Sequence, residues 1–280
     1  MNSKHATAPV SVRIEPVRGW GRLNIRELWI YRELLYFFVW RDVKVRYKQT
    51  LLGIAWAVLQ PLFSMLVFTI FFGRLAKVPS DGVPYAIFSY IALVPWMFFS
   101  NGLSLSASCL VSSSNMLKKV YFPRLALPVA TVVAGLIDMA VALLLLGGLM
   151  VYYRREPSLN LIWLPAFVLL AMAASVGCGL WLSALNVKYR DIRYVVPFLV
   201  QLWLFATPVA YSSSLIHEPW RSVYGLNPMA GVVEGFRWAV LGTKVSMRTM
   251  ETVSIAATFV LLLSGLLYFR RVERTFADVV

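Results

Sequence analysis

The sequence predicts an all-α, polytopic membrane protein. It has six transmembrane helices, an N-terminal amphipathic helix at the interface, and external re-entrant helices before the last span. Three observations carry this. Of the 280 residues, 59% are hydrophobic and only 14% charged; soluble domains carry about 45–50% and about 25%. So few charges cannot cover a water-facing surface, and mean hydropathy is +0.69. Long stretches almost free of charge recur along the chain. The basic residues are segregated between alternate connections.

The charge-free stretches give spans at about 51–72, 84–111, 125–153, 159–186, 192–212 and 251–270. Roughly 20 apolar residues cross a bilayer core, and each stretch is near that length or longer. Nineteen of the 27 basic residues fall before the first span, in the second and fourth connections, or in the tail. The positive-inside rule then places both termini in the cytoplasm. An even number of spans follows, in agreement with six. The net charge of +14 is thereby read as topology and not as a nucleic-acid footprint.

Three regions result: 1–49, a cytoplasmic N-terminus; 50–271, the six-span domain; and 272–280, a cytoplasmic tail. Met1–Gly21 has basic residues but no apolar core of a signal peptide, so the first span is expected to be its own insertion signal. Asn24–Lys48 lacks Gly and Pro and reads as helix. Its apolar, aromatic part is broken by Arg32 and Glu33 and is too short to span. An interfacial helix fits, with Trp29, Tyr31, Tyr36 and Trp40 at headgroup depth. A kink is expected at Pro95. The long external segment contains an apolar stretch interrupted by Glu234 and Arg237. It reads as a re-entrant hairpin over about 217–241, turning at Gly225–Pro228. Such backbone persists at membrane depth only where protein or a water-filled cavity covers it.

Catalytic chemistry is not legible. The two histidines, His5 and His217, stand apart, and no metal-spaced Cys/His cluster or nucleophile motif occurs. Cys109 and Cys178 fall inside spans and read as small apolar residues. No catalytic residue, metal site or cofactor is therefore assigned to this chain. Gly242-Thr243-Lys244 resembles the end of a phosphate loop but lacks the required spacing. Any energy from ATP must come through a partner. Asp138 is the one acid inside a span. Such a carboxyl is either a proton relay or a hydrogen-bonded structural group.

A set of motifs occurs in order. Arg41-Asp42-Val43-Lys44-Val45-Arg46-Tyr47-Lys48 runs through Gly53 and Trp56 to Gln60-Pro61-Leu62. Pro95-Trp96-Met97-Phe98-Phe99 and Asn115-Met116-Leu117-Lys118-Lys119-Val120-Tyr121-Phe122-Pro123-Arg124 follow. Later come Asn186-Val187-Lys188-Tyr189-Arg190-Asp191, Thr207-Pro208-Val209-Ala210-Tyr211 and Asn227-Pro228-Met229. The set resembles the permease subunits of type-2 ABC exporters for bacterial surface polysaccharides such as O-antigen, capsule and teichoic acid. The resemblance implies a homodimer carrying two separate ATPase subunits, which bind ATP and Mg. It also implies a coupling helix at about 114–123, external gate helices, and export of a lipid-linked glycan.

Site expectations follow. Asn115, Met116, Lys118, Lys119, Tyr121 and Arg124 form the ATPase-coupling segment; the plainer reading is a basic loop held by anionic lipid. Arg41, Lys44, Arg46 and Lys48 receive a diphosphate headgroup, or else serve topology alone. Trp96, Phe98, Phe99, Trp203 and Phe205 offer rings on which sugar faces slide, or else pack within the bundle. Trp220, Tyr224, Asn227, Pro228, Glu234 and Arg237 form the external gate, with the two charged residues facing water or each other. An ion-coupled secondary transporter using Asp138 is the alternative, although no related halves are seen. A membrane-embedded lipid or sugar transferase would need an acid or histidine cluster that is not visible.

Overall fold

The computed structural model describes residues 29–48, 53–119, 122–189, 191–242, 248–273 and 276. Among them every regular element is helical. In chain order they are α1 (Arg32–Lys48), α2 (Gly53–Phe68, continued as a π-helical turn Thr69–Leu75), α3 (Tyr85–Ser112), α4 (Ser114–Lys119) and α5 (Ala126–Tyr152). A 3₁₀ turn (Leu159–Trp163) leads into α6 (Leu164–Lys188). Then come α7 (Ile192–Phe205), α8 (Trp220–Tyr224), α9 (Pro228–Leu241) and α10 (Arg248–Val272).

Five helical segments are long and apolar enough to cross a membrane: Ala55–Leu75, Tyr85–Ser112, Ala126–Tyr152, Leu159–Lys188 and Thr249–Val272. The segment expected to span at 192–212 differs, because its helix covers only Ile192–Phe205. Fourteen residues rise about 21 Å, short of the ~30 Å hydrocarbon core. The chain then turns, and Thr207, Pro208, Val209 and Ala210 lie buried as irregular backbone. Pro208 cannot extend the helix hydrogen bonding, and protein cover makes non-helical backbone tolerable there.

α3 is the central helix. It packs against α5, α6 and α9, and most of its length is buried. It continues as one helix through Pro95. Its serines bond back to the helix: Ser104 Oγ donates to Ser100 O (2.8 Å) and Ser108 Oγ to Ser104 O (3.2 Å). Their hydroxyls need no water. Close helix contact rests on small residues, as is usual where lipid removes the hydrophobic drive. A Cβ at Gly177 of α6 would lie 2.9 Å from the Leu262 backbone of α10, and one at Gly102 of α3 would lie 2.5 Å from Ser175 Oγ of α6. α2 and α7 are peripheral, with Trp56, Phe63, Phe71, Phe198 and Phe205 exposed.

α1 packs alongside the start of α5. Phe38, 2% exposed, packs edge-on against Phe122 (5.3 Å). Asp42 accepts a hydrogen bond from Thr131 (3.3 Å), and Arg46 and Tyr47 both reach Asp138. As α1 advances, its partners advance along α5, so it climbs beside the first half of that helix. The polar residues on this face thereby find their partners on α5. Trp29, Tyr36 and Trp40 remain exposed on the outer face.

Candidate functional site

Four places in the fold hold the residues singled out from sequence. The first is the end of the bundle that carries α4, Lys118, Lys119, Lys188, Arg270 and Arg271, which we call the basic end. α4 covers only Ser114–Lys119 of the expected 114–123 helix. Phe122 and Pro123 are buried beyond it, and Tyr121 lies outside the described residues. Asn115, Lys118 and Lys119 are exposed. Met116 is turned inward, its Sδ 3.9 Å from Arg41 Nη1. Arg124 is turned inward too. It donates to Glu273 O (2.5 Å) and sits 5.8 Å from the Phe276 ring. The free cations of this segment are thus Lys118 and Lys119, while Arg124 ties the α4–α5 connection to the end of α10.

The second place is a cavity of about 440 Å³ between α2, α3, α5 and the end of α1. Its polar lining is Arg46, Tyr47, Gln60, Asn101 and Asp138. Arg46 and Asp138 form an ion pair with side chains 27% and 28% exposed, and the Tyr47 hydroxyl donates to the other Asp138 oxygen. Asp138 is held by two neighbours from α1. The sequence leaves the partners of Asp138 open, because nothing in its pattern shows which face of α1 meets α5.

This arrangement divides the expected headgroup quartet. Arg46 faces the cavity. Arg41, Lys44 and Lys48 line a shallow recess of about 230 Å³ with Phe37, Trp40 and Val45. Lys44 Nζ stands 4.2 Å over the Trp40 ring, and Arg41 pairs with Asp42 at 2.8 Å. Cation–π contact leaves an ammonium free to meet an anion on its outer side.

The third place holds the aromatics. Trp96, Phe98 and Phe99 are covered by protein, at 4%, 5% and 0% exposure. Phe99 meets Trp203 edge-on at 5.0 Å and Trp96 at 5.7 Å. Phe205 is exposed. Of these five rings, Phe98 alone borders the α2–α3–α5 cavity.

The fourth place is the hairpin at the opposite end. It folds as α8 and α9 with its turn at Gly225–Asn227. The sequence dictates the start and stop of α9: Asn227 Oδ1 accepts from Met229 N (3.0 Å), Pro228 occupies the first turn, and Gly242 ends the helix in the left-handed region at φ 67°. Asn and Pro before a helix and Gly after it are strong local signals. Asn227 also receives Trp203 Nε1 (2.9 Å) and donates to Ala206 O (2.8 Å), where Tyr224 donates as well (2.7 Å). The end of α7 is thereby capped by the hairpin.

Glu234 and Arg237 do not face water. Each is 2% exposed and they pair with each other at 2.8 Å. Arg237 also donates to Tyr211 O (3.1 Å) and Val209 O (3.0 Å) and lies 3.7 Å over the Phe88 ring. Ser213 N donates to Glu234 (3.1 Å). The pair therefore clasps the irregular 209–213 backbone and satisfies groups that helix bonds cannot reach. Trp220, 70% exposed, points outward from the hairpin together with Val223 and Leu226. No group of three or more potential metal ligands occurs among the described residues.

Comparison with known proteins accounts for this assembly. The family described as ABC-2 type transporter matches residues 33–241, from α1 to the end of α9. The chain is 34% identical over 215 residues to an O-antigen export system permease protein of Myxococcus xanthus, covering 76% of this chain and 82% of that one. It is 26% identical over 249 residues to an O-antigen export system permease protein of Klebsiella pneumoniae, covering 88% and 95%. A polysialic acid transport protein of Escherichia coli is 25% identical over 240 residues, covering 83% and 91%.

Proposed function

The chain belongs to the ABC-2 type transporter family, and from that premise we propose that it is the permease subunit of an ATP-driven exporter moving a lipid-linked polysaccharide out of the cytoplasm. The observation that carries the reading is the near-full-length similarity to permeases named for O-antigen export and polysialic acid transport. It spans α1, the bundle and the hairpin together. A shared membrane bundle alone would leave the cargo open; relatives named for two different surface polysaccharides narrow it to that class.

In this reading the basic end faces the cytoplasm, as the positive-inside rule requires. α7 and the largely buried 207–213 segment complete a sixth crossing, so both termini are cytoplasmic. Two copies pair about a two-fold axis, the commonest oligomeric symmetry, to enclose a path that one subunit lacks. Two copies of a separate ATPase bind ATP and Mg and dock on α4, where Lys118 and Lys119 are free. Arg124, anchored to Glu273, passes the motion of α4 into α5 and α10. The recess of Arg41, Lys44 and Lys48 takes the diphosphate of the lipid carrier, since ammonium and guanidinium groups pair well with phosphate. The hairpin closes the outer mouth, with Trp220 as its exposed ring and the Glu234–Arg237 clasp as its root.

The test is genetic and enzymatic. Removing the chain from a cell that makes the glycan should leave lipid-linked glycan inside and none at the surface, with recovery on re-expression. Purified alone, the chain should not hydrolyse ATP, and hydrolysis should appear with the copurifying ATPase. Unchanged surface glycan, or hydrolysis by a preparation shown free of the partner, would sink the reading.

A further inference from the structure

The cavity between α2, α3 and α5 contains two amides that its ion pair does not use. Gln60 and Asn101 are both exposed and both line it. Among the described residues neither amide has a hydrogen-bond partner, whereas Asp138 is doubly bonded beside them. Asn101 lies about 16 Å along α3 from its end at Ser112, and Asp138 about 18 Å along α5 from its start at Ala126. Both are inside the hydrocarbon region. An amide left against lipid tails there is costly, so these two face water or a polar ligand.

From this we infer that the cavity is a sugar-ring subsite, holding one ring of the passing glycan at a time. The inference rests on the polysaccharide-export reading and specifies a place within it. Carboxylate, guanidinium, phenol and two amides present donors and acceptors side by side, the set that matches neighbouring sugar hydroxyls. The apolar faces of the ring meet Trp56, 55% exposed, and Phe98. A volume of about 440 Å³ lies in the range of small-ligand sites. Charge separates this site from the headgroup recess. Here one guanidinium is balanced by one carboxylate, so a diphosphate would meet the Asp138 oxygens at close range. On the outer face of α1, no carboxylate lines the recess of Lys44 and Lys48 among the described residues, and Arg41 there pairs with the neighbouring Asp42. A lipid tail would leave both amides unpaired, whereas a hydroxylated ring satisfies them. Because water can replace the ring, release costs little, as a polymer in transit requires.

The experiment uses the full complex with its ATPase in cells that make the glycan. A photo-crosslinking amino acid replaces Leu105, which lines the cavity, or Trp220 at the far mouth as a reference. The expected result is a glycan-bearing adduct at both positions, abolished when glycan synthesis is stopped. Gln60→Leu with Asn101→Leu should lower the Leu105 adduct at least tenfold without lowering the Trp220 adduct. Adduct at Trp220 with none, or only lipid, at Leu105 overturns the subsite and leaves export standing. No glycan at either position overturns the export reading and the subsite with it. The Leu105 crosslink in the otherwise unaltered chain decides the matter even if the double variant fails to assemble.

Discussion

Two ion pairs within the helical bundle are built in opposite ways. Glu234–Arg237 is dry: both side chains are 2% exposed, and the bonds they make go to fixed protein groups. Arg46–Asp138 is wet: both are more than a quarter exposed and border an open cavity with two unpaired amides. The first pair joins residues three apart on one helix and braces a loop. The second joins α1 to α5, two elements far apart in sequence. An intramembrane charge is a functional candidate by default. The contrast teaches that enclosure separates a clasp from a site. A pair sealed from solvent by the protein around it has no face left to offer a ligand.

Substitutions break or sharpen that contrast. The largest effect is expected at the dry pair. Arg237→Ala or Glu234→Ala leaves a lone buried charge and should cost about 3–5 kcal/mol, read as a fall in thermal stability of the detergent-solubilised protein. Glu234→Leu with Arg237→Met removes both charges and should recover part of that loss. A double variant no better than the singles would mean that the pair is valued for its backbone bonds and not for charge balance.

At the wet pair Asp138→Ala should cost less, about 1.5–3 kcal/mol for hydrogen bonds to a charged group, because cavity water can reach Arg46. Asp138→Asn keeps size and acceptor and should preserve ATP-driven export. Lost export in a folded, ATPase-bound Asp138→Asn protein would favour the proton-relay alternative. Asn227→Ala removes the helix cap of α9 and should cost about 1 kcal/mol, visible as earlier unfolding. The smallest stability change, within about 0.5 kcal/mol, is expected for Lys118→Glu with Lys119→Glu. Both are exposed on α4, yet charge reversal at a docking face repels its partner. ATPase copurification should fall while membrane insertion holds. Unchanged copurification and export would remove α4 from the coupling role.

Composition by itself determined the helical membrane class and five of the six expected span positions, because lipid permits few alternatives for apolar stretches of that length. The caps of α9 were equally legible: Asn227, Pro228 and Gly242 act on backbone within a few residues of themselves. The ordered motifs pointed to the family. Tertiary structure alone decided the rest. The shortening of α7 depends on protein covering the 207–213 backbone. The inward turn of Arg124 depends on Glu273, 149 residues away. The assignment of Arg46 to the cavity, and of Arg41, Lys44 and Lys48 to the recess, depends on α1 lying along α5. Pairing at such separations leaves no periodic trace in a sequence, since which helix faces meet is set by packing of the whole bundle.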